Sequence, residues 1–271
     1  MGRDGKGWRK AMIRLILSGC NGKMGRVFTK TAAAYDDVEI AAGLDVTDGA
    51  HNPYPCYTRT EDIPVDVAQS ADVLVDFSHV SALAGILTYA AFGNRRIPVV
   101  LATTGYDDAQ KNAIAEAATK TAIFQTANMS LGINLLVELV QKASGALGDG
   151  FDVEIVERHH NQKIDAPSGT ALMIADAIND TYQQNHEAGL NYVYDRHSKR
   201  EKRTRQEIGM HAIRGGTIVG EHAVIFAGTD EVLEIRHSAA SKEVFAEGAM
   251  RAARFIIGKT PGIYTMKDVL R

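Results

Sequence analysis

The sequence predicts an α/β chain: a parallel sheet with helices on both faces, followed by a second α+β region built on a mixed sheet. Three observations carry that prediction. Short apolar runs alternate with helical patterns up to about residue 126, and a glycine-bearing turn joins the first run to the first helix. Beyond residue 150 longer strand patterns take over. Alternation of the first kind buries strands on both faces, which is the signature of parallel pairing.

The elements follow in order. Met12–Leu17 is a short apolar run, hence a buried strand; a helical stretch follows from Val27 to Ala34, then a second strand at Val38–Leu44. The strands at Val73–Phe77, Ile97–Ala102 and Ala122–Thr126 are separated by helical patterns at Ser81–Ala91 and Ala109–Thr119. Leu131–Leu147 reads as a long helix with one apolar face. Strand patterns occupy 151–158, 206–213, 217–227 and 231–237, and Lys242–Ile257 returns to helical spacing.

Chemistry concentrates first in the turn Ser18-Gly19-Cys20-Asn21-Gly22-Lys23-Met24-Gly25-Arg26. Strand, glycine turn, helix and a second strand ending in Asp45 make a nucleotide-binding βαβ unit, so the first sheet is Rossmann-like. Glycines permit close approach of a pyrophosphate, and the acid accepts hydrogen bonds from the adenosine ribose. The strict G-x-G-x-x-G pattern is departed from: Asn21 stands at the second glycine and Met24 at the third. Asp45 falls twenty residues after Gly25, at the end of the right strand. In such sheets the segments just past the strands face the ligand. Here they are Phe77-Ser78-His79, Ala102-Thr103-Thr104-Gly105 and Thr126-Ala127-Asn128-Met129-Ser130.

The second concentration is His159-His160-Asn161-Gln162-Lys163-Ile164-Asp165-Ala166-Pro167-Ser168-Gly169-Thr170-Ala171. It places two imidazoles, an ammonium and a carboxylate just ahead of a helix start, where free backbone N–H groups favour a bound anion. That pattern suits a small acidic substrate and a proton donor active near neutral pH. No metal site is expected, because there is no H-E-x-x-H and no paired cysteine spacing.

On these segments, with Val75-Asp76-Phe77-Ser78, Gly220-Glu221-His222 and Phe245-Ala246-Glu247-Gly248-Ala249, the sequence closely resembles the 4-hydroxy-tetrahydrodipicolinate reductase (dihydrodipicolinate reductase) family of lysine and diaminopimelate biosynthesis. The resemblance runs from about residue 12 to 270. It implies nicotinamide-dependent reduction of an unsaturated cyclic dicarboxylic imine to tetrahydrodipicolinate by a homotetramer. It further implies that His159 is the proton donor and Lys163 the second catalytic residue, with His160, Ser168, Gly169 and Thr170 at the substrate. Gly19, Cys20, Asn21, Gly22, Lys23, Met24, Asp45, His79, Ala102, Thr103, Thr104, Thr126, Ala127, Asn128 and Met129 would meet the cofactor. The implied organisation is an extension at 1–11, a dinucleotide-binding domain at 12–130 and a substrate-binding and tetramerisation domain at 131–240. A helical segment at 241–271 would return to the first domain.

Two departures stand out. The family often has an arginine after the acid that ends the second strand; here it is Val46. The family's His-Arg-Ala-x-Ser-Arg appears as His237-Ser238-Ala239-Ala240-Ser241-Lys242. With Asp45 followed by Val46 and Asp48, no cation adjoins the adenosine ribose, so NADH is expected to be preferred and NADPH to be used less well.

Composition fits a cytoplasmic enzyme. The 271 residues are 45% hydrophobic with net charge −3, so no general attraction to nucleic acid or anionic membrane is expected. Cys20 and Cys56 are the two cysteines, and they point to neither a disulfide framework nor a metal site. The basic run within 195–207 reads as a solvated loop whose charge would draw in a dianion. Two other readings stay open: a nicotinamide-binding regulatory protein without catalysis, and another dehydrogenase for a small amino-acid-derived substrate.

Overall fold

The computed structural model describes residues 12–49, 51–93, 96–185, 189–198 and 200–271. The expected extension at 1–11 and Lys199 of the basic run lie outside them. In chain order the elements are β1 (Ile13–Ser18), α1 (Lys23–Ala32), β2 (Val38–Leu44), β3 (Cys56–Tyr57), α2 (Val65–Ser70), β4 (Val73–Asp76) and α3 (Leu83–Phe92). Next come β5 (Val99–Leu101), α4 (Asp108–Ala118), β6 (Ala122–Gln125), α5 (Leu131–Leu147), β7 (Asp152–His159), α6 (Gly169–Asn185) and β8 (Asn191–Val193). The chain closes with β9 (Glu207–Arg214), β10 (Gly220–Ala227), β11 (Val232–Ala239), α7 (Glu243–Ile256), β12 (Gly262–Tyr264) and α8 (Met266–Leu270).

The chain divides into two compact units. One comprises the chain up to Thr126 together with Phe245–Arg271, and the other is Ala127–Val244. The first holds a seven-stranded sheet in the order β12-β6-β5-β4-β1-β2-β3. Every pairing in it is parallel. The order reverses between β1 and β4, and in such sheets ligands bind past the carboxyl ends of the strands at that switch. Leu15, Ile16 and Leu17 of β1, Leu74 and Val75 of β4 and Val99–Leu101 of β5 are wholly buried, as strands covered on both faces require. The helix α7 is tied to this unit by a two-pronged Arg254–Asp37 pair at 2.6 and 2.7 Å.

The second unit is a five-stranded sheet, order β11-β10-β7-β9-β8, with β10 antiparallel to both its neighbours and the other pairings parallel. The helices α5 and α6 cover one face and share a core with it, in which Ile155, Ile174, Ile178, Ile208, Val224 and Phe226 are almost fully buried. Along β7 burial alternates residue by residue, so Val153, Ile155, Glu157 and His159 share the helix-covered face. A buried carboxylate and a buried imidazole at the end of that row continue where the apolar residues stop.

Sequence expectations miss the short pieces. β3, α2, β8, β12 and α8 were not expected, because two- to six-residue elements carry too little periodicity to register. Two residues of the basic run are tied to the sheet rather than solvated. Arg203 reaches Asp152 at 2.6 Å and Glu154 at 2.9 Å, and Arg196 reaches Glu207 at 2.8 Å. These two cations are paired with carboxylates of the central strand β7 and of β9, while Arg200, Lys202 and Arg205 of the same run stay exposed.

Candidate active site

In the first unit the glycine turn is fixed by backbone geometry. Gly19 has φ +76°, and a Cβ on it would lie 2.6 Å from the Phe77 carbonyl. A Cβ on Gly25 would lie 2.1 Å from the Gly19 carbonyl oxygen, so α1 starts hard against the turn. Asn21, in the position of the missing second glycine, ties the turn to the end of β2. Its amide N–H donates to Asp45 Oδ2 at 2.8 Å and its Nδ2 to the Thr47 carbonyl at 3.0 Å. A cavity of about 650 Å³ opens here, lined by Gly19, Asn21, Gly22, Asp45, His79 and Arg59 among others. The glycine cradle, the uncapped start of α1 at Gly22 and the carboxylate of Asp45 fit a dinucleotide's pyrophosphate and adenosine ribose.

Of the residues expected at the cofactor, Gly19, Asn21, Gly22, Asp45 and His79 line this cavity, and Cys20, Lys23, Met24, Ala102, Thr103 and Thr104 are not on its wall. Cys20 is fully buried, 3.7 Å from Cys56 sulfur to sulfur, and burial pushes its thiol up to about 12. Neither its side chain nor its backbone is exposed at the cavity wall. The Thr103 hydroxyl donates to Asp76 Oδ2 at 2.7 Å, while Ser78 donates to Oδ1 at 2.5 Å. Buried Asp76, which sequence reasoning passed over, thus clasps the loops after β4 and β5. Thr126 ends the first unit; Ala127, Asn128 and Met129 belong to the second.

In the second unit, β7 carries His159 at its end and the following loop carries His160 and Lys163 to the start of α6. His159 is 9% exposed. Its Nδ1 lies 2.6 Å from Glu157 Oε2. Glu157 also accepts both prongs of Arg214 (2.8 and 2.7 Å) and the Ser168 amide (3.0 Å). Burial pushes the Glu157 carboxyl up, but hydrogen bonds from Arg214, His159 and Ser168 outweigh it and hold the group below its ordinary value. His222 faces Glu157 across the β10–β7 ladder, and its ring meets His159 edge-on at 5.3 Å between centroids. Burial pushes His222 down to about 4, so it stays neutral near pH 7.

Lys163 pairs with Asp165 at 2.8 Å, and its hydrogen bond holds the Asp165 carboxyl below the usual range. The Ala166–Pro167 peptide is cis. Ser168, 2% exposed, is spent internally: its hydroxyl accepts from Ala171 N at 3.1 Å as the cap of α6 and lies 3.1 Å from His222 Nε2. That leaves His160, Gly169 and Thr170 with accessible surface at the helix start. Sequence reading missed Glu157, Arg214 and His222. Glu157 was legible in principle, because residues two apart on a strand share a face. Among the described residues no cluster of three or more His, Cys, Asp or Glu side chains is arranged to hold a metal ion.

Sequence profiles described as "Dihydrodipicolinate reductase, N-terminus" and "Dihydrodipicolinate reductase, C-terminus" match residues 13–129 and 132–270. The chain belongs to the dihydrodipicolinate reductase family. A relative named 4-hydroxy-tetrahydrodipicolinate reductase from Caldanaerobacter subterraneus subsp. tengcongensis is 51% identical over 265 residues, spanning 96% of this chain and 99% of that one. Another so named, from Clostridium tetani, is 45% identical over 259 residues, 96% and 97% of the two chains. Among solved structures, a dipicolinate-bound dihydrodipicolinate reductase from Paenisporosarcina sp. TG-14 aligns with TM-score 0.74 at 24% identity, over 94% of this chain and 97% of that one. That likeness establishes the fold of a dihydrodipicolinate reductase: a parallel Rossmann-like sheet and a second, mixed sheet. As a family member the chain is a pyridine-nucleotide-dependent oxidoreductase of lysine and diaminopimelate biosynthesis. No helix among its described residues is long and apolar enough to cross a membrane.

Proposed function

We propose that the chain reduces 4-hydroxy-tetrahydrodipicolinate, by way of dihydrodipicolinate, to tetrahydrodipicolinate. The observation that carries this reading is the 159–170 segment: a buried imidazole on an ionised carboxylate, followed by an ammonium and a helix start, within the span matched by the C-terminal family profile. A bound nicotinamide supplies the hydride. Electron density that develops on the substrate ring must then be met by a proton and by nearby positive charge. His159 gives the proton. Lys163, with the amides of Gly169 and Thr170 at the start of α6, holds the ring carboxylates. Gly19, Asn21, Gly22 and Asp45 hold the dinucleotide, with NADH preferred over NADPH.

The regulatory reading has no use for the His159–Glu157–Arg214 arrangement, in which two side chains and an amide are spent on one buried carboxylate. We place the enzyme in the cytoplasm as a homotetramer. Val232 of β11 and Ile213 of β9, apolar yet 65% and 44% exposed, both lie on the face of the second sheet opposite α5 and α6 and support an assembly face there. Loss of cofactor absorbance with freshly generated imine substrate tests the activity, and no turnover by pure, folded protein would exclude it. Mass measurement in solution tests the tetramer.

A further inference from the structure

We infer that Glu157, clamped by Arg214, is the positioning residue for His159 and directs its proton transfer through Nε2. This deepens the proposed function and rests on His159 being the proton donor. Glu157 is 1% exposed and takes four hydrogen bonds on its two oxygens, from Arg214 Nη1 and Nη2, His159 Nδ1 and the Ser168 amide. Held ionised by those donors, the carboxylate can only accept. His159 Nδ1 therefore carries a hydrogen whether the ring is neutral or charged, and Nε2 is the nitrogen that gains and loses the transferable proton.

The surroundings of Nε2 agree. Gly220 borders it: a Cβ at that position would lie 3.2 Å from Nε2 and 3.5 Å from Cδ2. Glycine keeps that side of the ring open. On the other flank the neutral His222 ring stands edge-on at 74° to His159, itself anchored by Ser168, so the imidazole cannot swing. Stability alone gives no reason for the arrangement. A buried carboxylate–guanidinium pair costs as much desolvation as its attraction returns, and apolar side chains of similar volume serve a sheet core as well. In the transfer the Nε2–H bond breaks and its proton goes to the substrate atom that gained electron density. The neutral ring remains, Nδ1–H still on Glu157.

The test is a double-mutant cycle of Glu157→Gln and His159→Ala, read by kcat, substrate KM, cofactor Kd and the melting temperature. A glutamine held by Arg214 through its carbonyl turns an NH2 toward Nδ1, which forces the other tautomer. We expect E157Q to lower kcat by about a hundred-fold while KM and cofactor Kd stay within about two-fold. In the H159A background E157Q should do nothing further. Multiplying losses, or an E157Q enzyme with more than half of normal kcat, would overturn the inference. Near-full activity of H159A would instead remove His159 as donor, and the inference with it. If E157Q does not fold, Arg214→Lys carries the same test: one prong is lost, kcat falls about ten-fold, and the loss vanishes in H159A. A loss from R214K that persists in H159A overturns the inference equally.

Discussion

Asn128 donates from Nδ2 to the hydroxyl of Thr170 at 3.0 Å, joining the segment after β6 to the first turn of α6. Asn128 is itself held by the Ser130 amide on its Oδ1 at 2.8 Å, and Asn134 donates to its carbonyl at 2.7 Å. A residue implied to meet the cofactor and one implied to meet the substrate thus belong to one hydrogen-bonded piece of the second unit. Any shift of one moves the other.

Asn128→Ala should therefore change the kinetics of both ligands. A neutral hydrogen bond contributes roughly 1 kcal/mol, so a rise of about five-fold in substrate KM and a weaker cofactor Kd are expected together. Steady-state kinetics and fluorescence titration read the two values. An effect on one ligand alone would sink the idea that they are coupled.

Lys163 is shared between Asp165 and, in the proposed reading, a substrate carboxylate. Lys163→Ala should lower kcat and raise KM together, because it removes positive charge that the reacting ring needs. Asp165→Asn should act the opposite way on affinity, lowering KM by no more than about five-fold, since it frees the ammonium from a partner that is itself largely exposed. If D165N raises KM instead, the carboxylate orients Lys163 rather than competing for it.

The sheets were legible where the sequence repeats a physical constraint over many residues. Val38–Leu44 and Leu131–Leu147 have the bounds that apolar spacing predicts, and the β1–Gly19–α1 turn is where the glycines place it. The site was legible as a list of reactive side chains in 159–170, but not as a network. Glu157 is two positions from His159, within one strand, whereas Arg214 and His222 reach it from β9 and β10, more than fifty residues away. Register between distant strands is set by the whole sheet, and no local pattern announces it. Ser168 shows the converse: its type suits a ligand, but capping α6 and bonding His222 absorb its hydroxyl.

Acid should destabilise the fold in two stages. Burial, with His159 beside it, pushes His222 from 6.5 down to about 4; Glu157, His237 and Lys163 also face it. The folded state resists a proton that the unfolded chain accepts, so stability is lost as pH falls from about 6.5 to about 4. The difference corresponds to roughly 3 kcal/mol, or roughly 6–12 °C in melting temperature. Glu157, Glu154 and Glu221 are held below their ordinary values, so the stability they contribute is present above about pH 4.5 and is lost as pH falls further. Melts across pH 3–7 check both stages, and His222→Gln should flatten the upper one. An unchanged slope between pH 6.5 and 4 in that variant would locate the titrating group elsewhere.

Cofactor choice should turn on Asp45 and Arg59. Asp45 accepts the amides of Asn21 and Val46, each at 2.8 Å, and retains lone pairs for the free hydroxyls of the NADH ribose. Its charge opposes the 2′-phosphate of NADPH, and Val46 supplies no cation. Arg59, however, lines the same cavity, held two-pronged by Asp62 at 3.2 and 3.1 Å. Such an exposed pair is weakly held, so the guanidinium is free to turn to a phosphate. NADH should therefore be preferred by about ten-fold in kcat/KM, rather than the hundred-fold that an uncompensated acid would give. Arg59→Ala should widen the gap about ten-fold further by lowering kcat/KM for NADPH, with the NADH value nearly unchanged. Measuring both constants in both proteins at fixed substrate decides it. A ratio that Arg59→Ala leaves alone would assign any NADPH use to a cation other than Arg59, and equal values in the wild-type enzyme would refute the preference itself.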